Sequence, residues 1–168
     1  MTLPVDLSIK ELLLFTDGSL DTHSKIGYGA YLALPENGLS LKTGVKVMEF
    51  ENTSSTKLEL QTLLWALGDI RPSVSKVTVY TDSQNIIGLQ GRRGRFEQND
   101  YRSKKNRLLN NYELYQEFYR MTDQLECVFI KVRGHQASDQ KDDIDRLFTL
   151  VDRASRDALR ARSAAKHV

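Results

Sequence analysis

Two stretches of the chain end in the same way. Residues 12–19, LLLFTDGS, and residues 76–83, KVTVYTDS, each run apolar and β-favouring side chains into a threonine, an aspartate and then small residues. Such runs predict strands built for a core, where a terminal carboxylate has no obvious use. Taken singly, Asp17-Gly18 is an ordinary turn dipeptide, and Asp82 is an ordinary cap for a following helix. The recurrence is what constrains the fold. Between the two runs, apolar residues at 58, 60, 63, 64, 67 and 70 predict a helix over 56–70, closed by Pro72. A helical crossover can place the two strands side by side and parallel, which makes Asp17 and Asp82 neighbours at their carboxyl ends.

The rest of the chain completes an α/β order. Residues 11–17, 27–34 and 42–50 predict three strands joined by short links, an antiparallel meander. A strand at 77–80, a brief helix after Ser83 and an amphipathic helix at about 108–121 follow. That helix carries Tyr112, Tyr115, Phe118 and Tyr119 at helical spacing, which reads as core. A fifth strand at 127–132 and a last helix from about 143 to 164 close the order. The expected fold class is α/β: a five-stranded mixed sheet, strands 1–3 an antiparallel meander and strands 4 and 5 parallel to strand 1, flanked by helices. One domain over 1–168 is expected, its core at about 12–160.

At 168 residues, 40% of them apolar, the chain can bury a core of its own. Its apolar runs, residues 12–15 among them, are far short of the roughly 20 residues of a membrane span. No basic segment followed by a long apolar one opens the chain. The expectation is a cytoplasmic monomer with no membrane partner. A single cysteine, Cys127, excludes an internal disulfide and multi-cysteine zinc sites; within CVFIKV it reads as a buried structural thiol.

Charge is unevenly placed. Between Gly91 and Arg107, seven Lys/Arg stand against Glu97 and Asp100, a local net +5 in a chain of net charge +2. A solvated loop would account for this. Phe96 and Tyr101, interleaved among the cations, favour a surface for a polyanion, with cations on phosphates and rings on sugar or base.

Glu59, in KLEL, lies one turn into the predicted helix; it either closes a capping box with Thr56 or joins Asp17 and Asp82. Carboxylates gathered at one locus repel one another, so the fold must protonate one, pair one with a cation, or bind metal. With no cysteine pair, an all-oxygen donor set favours Mg²⁺ or Mn²⁺ over zinc. Two such ions about 4 Å apart suit phosphoryl transfer.

FTDGS, KLEL, YTDSQ, VRGH and VDRASR, in that order and on the expected elements, resemble the ribonuclease H family, type 1, over residues 12–160. The resemblance implies two Mg²⁺ ions, with Mn²⁺ as a substitute, and hydrolysis of the RNA strand of RNA–DNA hybrids to 5′-phosphate and 3′-hydroxyl ends. By position it makes Asp17, Glu59, Asp82 and a fourth carboxylate the metal ligands, and His135 an aid to proton transfer or product release. VDRASR nominates Asp152 as the fourth and IDRLF nominates Asp145; seven residues separate them, two turns of one helix face, and Asp152 is favoured. Ser55, Thr56 and Gln84 stand where the family contacts nucleic acid, and Arg92, Arg93, Arg95, Lys104 and Lys105 where it carries a basic protrusion, at about 91–107 here and without tryptophan. The other readings are a catalytically silent hybrid-binding module and a nuclease of the same superfamily acting on another nucleic acid.

Overall fold

The first strand, β1 (Glu11–Asp21), is apolar on both faces and is covered on both. Leu12 and Leu14 enter one core, Leu13 and Phe15 the other, as strand alternation requires. The coordinates are a computed structural model, which describes residues 11–35, 44–133 and 142–165. Around β1 stand β2 (Ile26–Pro35), β3 (Lys46–Phe50), β4 (Lys76–Thr81) and β5 (Glu126–Lys131), in the sheet order β3-β2-β1-β4-β5. β1 pairs antiparallel with β2, and β2 with β3; β4 runs parallel to β1 and β5 parallel to β4. This is the mixed sheet expected from the order of elements.

Helices α1 (Ser55–Ile70), α3 (Leu89–Gln98) and α4 (Tyr112–Gln124) build the larger core on one face; α5 (Asp143–Ala165) covers the other with Leu147, Phe148 and Val151. Leu60, Leu63 and Leu67 of α1 are fully enclosed, and truncating any one to alanine would cost about 2–5 kcal/mol. The cross-strand pair Gly18–Gly29 leaves a flat place in the sheet beneath α1. A Cβ at Gly18 would stand 2.9 Å from Leu58 Cδ2, and one at Gly29 would collide with the Thr62 hydroxyl. Asp17-Gly18 is therefore no turn: the glycine lies within β1 and lets α1 close on the sheet. Trp65 packs edge-on against Tyr31 at the margin of the core.

Several boundaries differ from the sequence expectation. β1 does not stop at residue 17; its pairing with β4 ends at Phe15–Tyr80, while its pairing with β2 continues to Asp21–Ile26. The basic stretch is not all loop either, because α3 takes its first half and α4 begins only at Tyr112. Phe96 and Tyr101 correct the expectation of rings offered to a polyanion. Both are buried, Phe96 stacking on Tyr115 at 5.0 Å between centroids and lying 5.8 Å from Tyr101. Apolar area gains more from the core than from water-exposed stacking. Cys127 is half-buried, and burial pushes its thiol up to about 11, which leaves it unreactive at neutral pH. Among the described residues, no helix is long and apolar enough to cross a membrane.

Candidate active site

Asp17 and Asp82 each stand two residues beyond the last β1–β4 pair, Phe15–Tyr80, so parallel register brings them to the same level of the sheet. Asp17 shares the parity of Leu13 and Phe15 and so belongs to the α5 side of β1. There α5 supplies Asp152, whose side chain hydrogen-bonds Asp17. The approach of α5 is fixed one residue pair away, where Ser19 Oγ lies 3.0 Å from the fully buried Ser155 Oγ. Ser155 Oγ also donates to the Asp152 carbonyl at 3.0 Å. Together Asp17, Asp82 and Asp152 line an open cleft of about 340 Å³, with Arg156 and Arg160 along its α5 wall.

Burial, then the Asp82 charge, then the bond from Asp152 push the Asp17 carboxyl up from 3.8 to about 8. Two carboxylates in contact cannot share a hydrogen bond unless one holds a proton. Arg156 Nε lies 3.0 Å from Asp152 Oδ1, so Asp152 has a cation beside it.

Glu59 reaches the same end of the sheet from the α1 side. Its environment decides between cap and site: the N-cap of α1 is Ser54, whose side chain accepts the Lys57 N–H at 3.3 Å, and Thr56 and Glu59 form no capping box. Instead Ser83 Oγ donates to Glu59 Oε2 at 2.6 Å. Desolvation raises the Glu59 pKa, the Ser83 bond opposes this, and the Asp82 charge raises it further. Asp82 is thus the group common to both clusters. It is not the cap of α2 (Gln84–Ile87); that is Ser83, which accepts the Ile86 N–H at 3.2 Å. Motif reading passed over Ser83, the residue that bonds Glu59 in this cluster, although serine just before a helix is a standard capping signal.

Among the described residues, no group of three or more His, Cys, Asp and Glu side chains is close enough to cage a metal ion. The donor chemistry nevertheless fits a hard divalent cation. Every donor is a carboxylate oxygen, and the burial and like-charge repulsion that keep a proton on Asp17 are what such a cation would offset. His135 lies outside the described residues. Asp145 sits in the first turn of α5, its N–H bonded to Asp142 Oδ1 at 2.9 Å, a position where acids complement the helix dipole. The bond to Asp17 is made by Asp152.

The expected nucleic-acid contacts divide by what already engages them. Arg93 makes a bidentate pair with Asp123 at 2.5 and 2.8 Å and also meets Glu97, tying α3 to α4. Arg92 donates to the Asn85 carbonyl at 2.6 Å and the Gly88 carbonyl at 3.3 Å. Its guanidinium still borders a cleft of about 430 Å³ with Ser54, Thr56, Asn110 and Asn111. Arg95 and Lys104 line a second recess of about 480 Å³ with Arg102 and Asn106. Lys105 is exposed, as is Ser55, and Gln84 accepts a bond from Lys131 Nζ at 2.9 Å. Asn110 and Asn111 were not anticipated; a polar pair before a helix carries no distinctive signal.

Comparison with known proteins gives a consistent result. The family profile described as RNase H matches residues 9–153, ending one residue past Asp152 and before Arg156 and Arg160. A curated protein named ribonuclease H from Caldicellulosiruptor saccharolyticus is 30% identical over 131 residues, 76% of this chain and 86% of that protein. Another of that name, from Idiomarina loihiensis, is 26% identical over 140 residues, 82% and 85% of the two chains. Among solved structures, a type 1 RNase H with the type 2 active-site motif superimposes with a TM-score of 0.70 at 15% identity, over 94% of this chain and 74% of that one. A foamy viral protease-reverse transcriptase in complex with dsDNA gives 0.63 at 9% identity, over 92% and 98%. At such identities these two structures speak for the fold.

Proposed function

The chain belongs to the ribonuclease H family, and on that premise we propose that it is a metal-dependent endoribonuclease that hydrolyses the RNA strand of RNA–DNA hybrids. The observation that carries this reading is the meeting of Asp17, Asp82 and Asp152 in one cleft, with the Asp17 carboxyl driven up to about 8 by its burial and then by its neighbours. A purely structural cluster of acids gains nothing from such repulsion.

Two divalent cations, Mg²⁺ or in its place Mn²⁺, held by Asp17, Glu59, Asp82 and Asp152, would supply activation of the attacking water and stabilisation of the leaving oxygen. The chain's own residues do the positioning. Ser83 orients Glu59, Arg156 orients Asp152, and the register of β1 on β4 sets Asp17 against Asp82. Hydrolysis breaks the bond between phosphorus and the 3′-oxygen. Water contributes the oxygen retained on the 5′-phosphate, and the departing 3′-oxygen takes up a proton. His135, assigned by resemblance, assists that proton transfer or the release of product.

Arg95, Lys104 and Lys105 are proposed to meet the hybrid's backbone, since cations there add affinity without reading sequence. Arg92, with Thr56 and the two asparagines, offers a polar cleft to a further phosphate. Ser55, Thr56 and Gln84 are proposed to bond the minor groove, where the 2′-hydroxyl distinguishes RNA from DNA. Arg93 is committed to Asp123 and holds α3 in place.

The test is cleavage of an end-labelled hybrid with Mg²⁺, Mn²⁺ or chelator, beside double-stranded RNA, double-stranded DNA and single strands. The expected result is metal-dependent cutting of the hybrid's RNA strand alone, with 5′-phosphate ends. Salt-sensitive binding without cutting would instead identify a hybrid-binding module, and cutting of another substrate a different nuclease of the superfamily.

A further inference from the structure

The cleft that gathers the carboxylates is not acidic throughout. Arg156 and Arg160 follow Asp152 on α5 at intervals of four residues and line the same cleft. Four residues advance a helix by about 6 Å, so the three side chains form one stripe running outward from the acids. The two arginines are differently engaged. Arg156 is drawn back onto Asp152 at 3.0 Å. Arg160 has Asp157 at 4.0 Å, at the limit of an ion pair, with both side chains about three-quarters exposed. Such a contact is heavily screened and holds the guanidinium weakly.

A phosphodiester strand entering this cleft meets several carboxylates of its own sign. A cation at the outer end of the stripe offsets that repulsion for a neighbouring phosphate, and a guanidinium suits phosphate because its fork can donate two parallel hydrogen bonds. Asp152 and Arg160 are about 12 Å apart along the helix. Along a duplex axis a strand rises about 3.4 Å per nucleotide, so an interval of this size is on the scale of a few nucleotides.

We propose that Arg160 binds a backbone phosphate of the strand being cut, a few nucleotides from the bond that breaks, while Arg156 keeps Asp152 in place. The proposal rests on the nuclease reading of the same cleft and adds a substrate contact to it. The contact is separate from the basic surface of α3 and the loop after it. It lies on the last helix, beyond the residues that the family profile matches.

The test compares wild type, Arg160→Ala, Arg160→Lys and, as a control, Arg153→Ala, an exposed α5 arginine that does not line the cleft. Binding of a fluorescent RNA–DNA hybrid is followed by anisotropy in chelator over a series of salt concentrations. Arg160→Ala should weaken binding about 3- to 10-fold at low salt and reduce the slope of log affinity against log salt by roughly one. Arg160→Lys should keep the slope, as should Arg153→Ala. With Mg²⁺ present, KM should rise by a similar factor and exceed any fall in kcat. Trimming the RNA strand from one side should abolish the difference between wild type and Arg160→Ala once the contacted phosphate is gone.

An unchanged slope in Arg160→Ala overturns the proposal, as does an equal loss in Arg153→Ala or an effect removed by trimming only the DNA strand. The binding measurement needs no turnover. A protein that bound through Arg160 yet cut nothing would leave this contact standing and refute the nuclease reading instead.

Discussion

In the cleft between β1 and α5, Asp17 meets two other carboxylates; in α3, eleven residues beyond Asp82, Arg93 meets two carboxylates of its own. The outcomes are opposite. Arg93 and its acids are opposite charges in a fork geometry, and the pair fastens α3 to α4. Asp17 is buried among like charges, Asp82 and Asp152, and the price is a proton kept on Asp17 well above its usual range. One region resolves its electrostatics internally. The other keeps like charges crowded at the cost of a retained proton, an arrangement that a bound cation would relieve.

Neutralising the acid common to both clusters should break the comparison most severely. Asp82→Asn should reduce hybrid cleavage by more than about 100-fold, the scale seen when one preorganised electrostatic contact is removed. Circular dichroism should show the fold intact, and single-turnover rates give the loss. Activity within tenfold of wild type would contradict the assignment.

Asp17→Asn should act on stability as well as activity. The folded pKa of about 8 lies above the usual 3.8, so between those values the folded chain holds a proton that the unfolded chain has released. Stability contributed by this group is therefore complete below about pH 4 and is lost as pH rises towards 8. In metal-free buffer the asparagine variant should melt roughly 5 °C higher than wild type at pH 8, on the order of 2 kcal/mol, with the difference vanishing near pH 4. Relaxation of the neighbouring acids keeps this well below what the whole shift would give. A variant that melts lower at pH 8 would mean that Asp17 stabilises the fold as an anion.

Ser83→Ala removes both the cap of α2 and the donor to Glu59. The lost cap should cost about 1 kcal/mol, a few degrees in Tm. Turnover should fall about tenfold through a misplaced Glu59, whereas Ser83→Thr, which keeps a hydroxyl, should restore most of it. The smallest effects should come from the basic stretch. Lys104→Ala should lower the salt slope of hybrid binding by roughly one, whereas Arg93→Ala should leave the slope unchanged and lower Tm slightly. A reversed pattern would return Arg93 to the substrate surface.

The sheet was legible because strand patterns such as β1 and the middle of β2, apolar on both faces, and β4, which alternates, leave few ways to bury them. The TDGS and TDS motifs pointed to the correct level of the sheet, but not to the reason for Gly18, whose missing side chain matters only once α1 lies over β1. Phe96 and Tyr101 misled because sequence adjacency to cations says nothing about the side of a helix or loop on which a ring emerges. Arg93 looked like its neighbours until Asp123, thirty residues on, arrived beside it. The bond between Asp17 and Asp152 likewise joins residues that only the packing of α5 on β1 brings together.

The most direct test of the central claim, that crowding keeps a proton on Asp17 which a divalent cation would displace, is a count of protons released when Mg²⁺ binds. Calorimetric titration at pH 7 in two buffers of different ionisation enthalpy measures it without substrate or turnover. With Asp17 at about 8, close to one proton should leave per chain, and Asp17→Asn should release almost none. Mg²⁺ binding with no proton release from the wild-type protein, or the same release from the variant, would contradict the account.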